Sequence, residues 1–94
     1  DPVYIDHFRH TIIPRLREFQ PDFILLSAGF DAHRNDPLGQ INLSEDGFAA
    51  LSDMVLELAN RCCSGRLVSI LEGGYNIEAL ASSALAHLAA LYRA

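Results

Sequence analysis

Two short polar segments hold the residue types in this chain that can do chemistry. The first is Ser27-Ala28-Gly29-Phe30-Asp31-Ala32-His33, continued by Asp36-Pro37-Leu38-Gly39. Asp31 follows the apolar run Phe23-Ile24-Leu25-Leu26, and a carboxylate held at the end of such a run is rigid enough to ligate a metal. A loop carboxylate that caps a turn fits the same position, and spacing alone does not separate the two. Asp36, just before Pro37, reads as the start of a turn. The second segment is Glu72-Gly73-Gly74-Tyr75-Asn76. Its paired glycines open backbone torsions closed to other residues and let a ligand come close. Tyr75 then sits where its phenol can donate to a developing oxyanion, although a half-buried tyrosine bonded to water or backbone explains it equally simply. No Gly-x-Gly-x-x-Gly occurs, so the glycines are not a dinucleotide fingerprint. Of the histidines, His7 and His10 read as solvent-facing and His87 as structural. His33 reads as a supporting or surface residue near the pocket.

The elements that must position these residues alternate between helical and strand patterns. Ile5, Phe8, Ile12, Leu16 and Phe19 make one apolar helical stripe, which Pro14 is expected to kink near residues 9–11 or to divide into two short helices in line. Residues 23–26 read as a parallel strand buried on both faces. A polar loop runs from Gly29 to about Asn42, and Ser44 caps a helix whose inner stripe is Phe48, Leu51, Val55, Leu58 and Cys62. Gly65 ends that helix. Residues 67–71 form a second strand, and Asn76 caps a last helix burying Ile77, Leu80, Ala84, Leu88 and Leu91. Two strands joined by a helix imply a parallel crossover, with ligands bound outside the carboxyl ends of the strands. Both polar segments lie at that edge, so Asp31 and Tyr75 are expected to face one pocket.

The whole sequence is 94 residues with formal net charge −5, and its seven cations are scattered arginines. That is a poor footprint for a phosphate backbone, so nucleic acid is not an expected partner. No apolar run approaches the ~18 residues of a membrane span. Cys62 and Cys63 are adjacent, fit neither disulfide nor metal spacing, and read as thiols in a reducing, cytoplasmic setting. Two strands make a poor sheet, and the chain opens Asp1-Pro2 with no Met. The expectation is a piece of something longer.

Taken together, the strings SAGFDAHRNDPLGQ and LEGGYN, separated by a helix and a strand, resemble the carboxyl-terminal portion of zinc-dependent histone deacetylases. The class II-like branch is the most similar, including bacterial deacetylase-like amidohydrolases and acetylpolyamine amidohydrolases. The likeness runs from about Tyr4 to Leu91. It implies an α/β fold, with residues 1–94 a fragment of one three-layer, parallel-sheet domain of the arginase/deacetylase kind. It implies Asp31 as a zinc ligand and Tyr75 as the catalytic tyrosine that hydrogen-bonds the substrate carbonyl. Leu38 would line the acyl-lysine channel, with Gly73 and Gly74 shaping its wall. The family's other zinc ligands and its His-His pair match nothing in this sequence, and are expected upstream. The activity implied is hydrolysis of acetyl or acyl groups from lysine side chains of peptides and proteins, or from acetylated polyamines, and an oligomer is compatible with it. The rival readings are a metal-free module that binds acylated ligands or serves as a subunit interface, an arginase-type metallohydrolase, and a nucleotide-binding α/β domain. The last two lack their clustered carboxylates and phosphate loop here.

Overall fold

The computed structural model describes residues 1–93. In chain order it contains α1 (Pro2–His7), a π-helical segment (Phe8–Ile12), α2 (Ile13–Phe19), β1 (Ile24–Ala28), α3 (Glu45–Cys63), β2 (Leu67–Leu71) and α4 (Ile77–Arg93). The alternation read from the sequence is therefore the one found.

Pro14 has no N–H to donate, and its ring crowds the carbonyl one turn back, at His10. The helix widens into π geometry over the stretch where a kink was expected. A π turn carries about one extra residue, which rotates the apolar stripe beyond it. Ile13 consequently shares a cavity wall with Met54 and Leu58 of α3. Phe19, expected on the inner stripe, is 78% exposed.

β1 and β2 pair in parallel, from Ile24 opposite Leu67 to Ala28 opposite Leu71. Only one face of this sheet is covered. Ala28 and Phe30, two residues beyond β1, pack with Leu43 and Phe48, and the two phenyl rings meet edge to face at 5.1 Å. On the other face Leu25 stands 70% exposed and Ile70 52% exposed. The expected burial of β1 on both faces is not found, because no described element lies over that side.

Ser44 caps α3 as expected, its Oγ accepting from the Gly47 amide at 3.2 Å, a contact worth about 1 kcal/mol. The Asp1 carboxylate accepts from the Ser44 amide at 2.8 Å and from the Ser44 hydroxyl, tying the start of the chain to this helix end. Phe48, Val55 and Leu58 face inward, and burying Leu58 alone contributes about 2 kcal/mol. Cys63 takes the buried place at the helix end and Cys62 is half-buried; both are free thiols.

On α4 the Asn76 side chain accepts from the Ala79 amide at 2.9 Å, completing the expected cap. The buried face, however, is Ala79, Ser83, His87 and Ala90. Ile77 and Leu88 point outward, while Leu80, Ala84 and Leu91 are half-buried. Small residues let α4 lie close against α3. The larger side chains are thereby turned away. His87 is bonded at both nitrogens, to Ser52 Oγ of α3 at 2.7 Å and to Ser69 Oγ of β2 at 2.8 Å. Ser52 already gives its proton to the Phe48 carbonyl at 2.7 Å, so His87 Nδ1 donates to it and Nε2 accepts from Ser69. One neutral imidazole thus joins three elements.

Candidate active site

Both polar segments emerge at the carboxyl ends of the paired strands, as the parallel topology requires. They are stitched together by backbone: the Phe30 amide donates to the Gly73 carbonyl at 2.7 Å, and the Glu72 amide to the Ala28 carbonyl at 3.0 Å. The register of the sheet thus continues past its last residues and brings Asp31 beside the glycine turn.

Asp31 is half-buried, and its carboxylate lies flat against Gly73. A Cβ at Gly73 would stand 2.8 Å from Asp31 Oδ2, inside any normal contact, and one at Gly29 would stand 3.1 Å from Oδ1. The absence of side chains at these positions makes a cradle that the carboxylate fills. Gly74 follows with φ 142°, a torsion few other residues adopt, and turns the chain toward α4. Tyr75 comes next. Its side chain is 55% exposed at the rim, and Leu38 is 70% exposed on the neighbouring loop.

Asp36 does more than begin a turn. Its side chain is buried; Oδ1 accepts from the Leu38 amide at 2.8 Å and the Gly39 amide at 3.0 Å. Oδ2 accepts from the Tyr75 amide at 2.7 Å, across 39 positions of sequence. Burial pushes this carboxyl up, but the backbone N–H groups around it outweigh that and hold it below the ordinary value of 3.8. A second strap runs from Asn76 Nδ2 to the Asn35 carbonyl at 3.1 Å.

His33 is not at the surface. It is 2% exposed, Nδ1 accepts from the Asn35 amide at 3.0 Å, and Nε2 lies 3.1 Å from Glu45 Oε1, close but not aligned as a hydrogen bond. Ser82 Oγ donates to the other Glu45 oxygen at 2.6 Å. That hydroxyl, the Glu45 backbone amide and His33 lower the Glu45 carboxyl to about 2. The set fastens the loop after β1 to both long helices, with the His33 ring buried beneath it. His7 and His10 are exposed on the first helical stretch, away from the strand ends.

The structure brings together Asp31, Gly73, Gly74, Tyr75 and Leu38 on two linked loops. Neither Asp31 nor Tyr75 lines any of four cavities formed by the described residues. The most apolar of these, about 260 Å³, lies behind the loop and is walled by Phe8, Gly29, Phe30 and His87 among others. Sequence reasoning missed the reach of Asp36 to Tyr75 and the burial of His33. No local pattern announces a hydrogen bond between segments so far apart.

The pattern of two stitched loops can be compared with known proteins. Residues 1–91 match the model of the Histone deacetylase domain. The chain belongs to the histone deacetylase domain family. Type-2 histone deacetylase 1 of Dictyostelium discoideum is 50% identical to it over 80 residues, which is 85% of this chain and 5% of that protein. Histone deacetylase 15 of Arabidopsis thaliana is 42% identical over 86 residues, 92% of this chain and 15% of that protein. Among solved structures, the HD domain of HDA15 superposes with a TM-score of 0.80 at 40% identity, over 90% of this chain and 23% of that one. The histone deacetylase Clr3 superposes with a TM-score of 0.84 at 35% identity, over 94% of this chain and 14% of that one. The fold is therefore that of the deacetylase domain, and the chain spans a small part of each of these relatives.

A family of this kind implies zinc. Among the described residues no three His, Cys, Asp or Glu side chains gather as a metal site. A catalytic zinc takes about three protein ligands plus water. Asp31 fits as one of them, since a carboxylate oxygen is an ordinary zinc donor and its glycine cradle holds it without filling the space around it.

Proposed function

We propose that this deacetylase-family chain is the carboxyl-terminal portion of the catalytic domain of a class II-like, zinc-dependent enzyme that hydrolyses acyl groups from lysine side chains. The observation that carries the proposal is the contact between the two motif loops: Asp31 seated on Gly73, two residues from Tyr75. The likeness to Type-2 histone deacetylase 1 of Dictyostelium discoideum supports the branch. When bound, zinc supplies Lewis-acid polarisation of the acyl carbonyl and an acidified water.

The chain's own residues do the rest of what falls to it. Asp31 would be the residue of this chain that helps to hold the metal, through its carboxylate. Tyr75, with its side chain free at the rim, donates its phenolic proton in a hydrogen bond to the oxyanion as it forms. Leu38 presents an apolar wall to the substrate stem, which favours acyl-lysine over a cationic acetylpolyamine. Gly73 and Gly74 keep the wall beside Tyr75 low. None of the four histidines is placed to take the water proton, so the proposal assigns the general base and the remaining ligands to residues outside this chain. A cytoplasmic setting belongs to the same proposal, supported by two free thiols.

The test is Tyr75→Phe in the full-length enzyme. Zinc content is expected to stay at the wild-type level while turnover of an acetyl-lysine peptide falls by about 10²–10³. Unchanged turnover would rule the reading out. Parallel assays on acetyl-lysine peptides and acetylated polyamines decide the substrate class.

A further inference from the structure

A buried carboxylate that only shapes a turn needs one of its oxygens. Asp36 satisfies its own turn with Oδ1 alone, through the amides of Leu38 and Gly39. Its Oδ2 is spent on the Tyr75 amide at 2.7 Å. Burying an anion is costly unless it is well bonded, so a buried carboxylate is a demanding choice for a turn that Asn or Ser would make as well. The second oxygen explains the demand.

Tyr75 is also the residue most in need of an anchor. Tyr75 is 55% exposed, so packing does little to hold it, and Gly74 just before it has backbone torsions open to it that other residues lack. After it, Asn76 is fixed as the cap of α4 and strapped to the Asn35 carbonyl. Between the Gly73 carbonyl, which accepts from the Phe30 amide, and the Asn76 strap, the Tyr75 amide is the point at which Asp36 fastens the turn to the opposite loop. That loop carries Leu38, and it closes so tightly that a Cβ at Gly39 would run into the Asp31 carbonyl. A single side chain thus references the phenol, the apolar wall and the Asp31 loop to one another.

We propose that Asp36 is a positioning residue for the deacetylation reaction, holding the Tyr75 backbone through Oδ2 while Oδ1 sets Leu38. The proposal rests on the reading of Tyr75 and Leu38 given above. It acts through Tyr75: an oxyanion donor displaced by ~1 Å loses on the order of 10²-fold in rate.

The substitution that separates the two duties is Asp36→Asn. An amide has one acceptor, which suits the turn, and one donor, which meets the Tyr75 N–H with another N–H. In the full-length, zinc-loaded enzyme kcat is expected to fall between about 10- and 100-fold, with KM within about twofold because the Leu38 wall stays. In a Tyr75→Phe background the same substitution is expected to cost less than about twofold, since the group it positions is already gone. Asp36→Ser, whose hydroxyl serves the turn but falls short of Tyr75, is expected to repeat the pattern, and serves if the Asn variant loses zinc. A kcat near wild type for both variants beside a crippled Tyr75→Phe enzyme would overturn the proposal. So would an equal penalty in both backgrounds. If Tyr75→Phe itself turns over normally, the catalytic reading of Tyr75 fails first, and the positioning role goes with it.

Discussion

Gly73 has no side chain where Asp31 has its carboxylate. A methyl group there would stand 2.8 Å from Oδ2 and 3.0 Å from Cγ, so Asp31 would have to rotate out of its seat. Gly73→Ala in the full-length enzyme is therefore expected to weaken zinc by about 10- to 100-fold, the usual cost of disturbing a ligand's support. Zinc retained after dialysis against a chelator measures it, and wild-type retention would show that Asp31 is not a ligand. The residue types at this edge were legible in the sequence: an aspartate after an apolar run, and a phenol after two glycines. Their mutual fastening was not. Asp36 reads locally as a turn former because its nearest partners are Leu38 and Gly39, and its bond to Tyr75 depends on how two strands pair. His33 misleads for the same reason. A polar residue in a polar loop looks solvated until Glu45, at the start of α3, is brought over it.

The helices were legible in extent and cap, and less so in the direction they face. Ser44 and Asn76 both cap as their types demand. On α4 the periodicity pointed to Ile77, Leu80, Ala84, Leu88 and Leu91, and packing chose the face of smaller residues beside it, leaving Ile77 83% exposed. His87 marks the chosen face. Burial disfavours its charged form and pushes its pKa below the ordinary 6.5. Protonation would also leave Nε2 donating toward a Ser69 hydroxyl that now donates to it. The unfolded chain takes up a proton near pH 6.5 while the folded one resists, so the contribution to stability is whole above that pH. It declines as pH falls from there through the lower folded value. The melting temperature of the full-length protein is expected to drop on acidification from about pH 7 to 5, and His87→Leu to flatten that drop. An unaltered slope would mean that His87 is not the group being titrated.

The described residues are layered on one side of the sheet only. α3 and α4 cover one face of the β1–β2 pair, and the other presents Leu25, Val68 and Ile70 to solvent. A two-stranded sheet with such a face is marginal by itself, and its edges invite further pairing. The strand pattern had implied burial on both faces, and that expectation is what the proposed place in a larger, three-layer deacetylase domain restores. The 14% and 23% of the two solved chains that this chain covers leave ample structure to lie over it. The two situations differ in what Leu25 contributes. At 70% exposure its removal is nearly free, within about 0.5 kcal/mol as for other surface positions. Under a covering layer the same Leu25→Ala change deletes buried methyl groups and leaves a cavity, costing about 2–5 kcal/mol. Denaturant unfolding of the full-length protein is expected to show the larger loss. A value near zero would mean that the face stays bare, and that these strands are not the interior of a wider sheet.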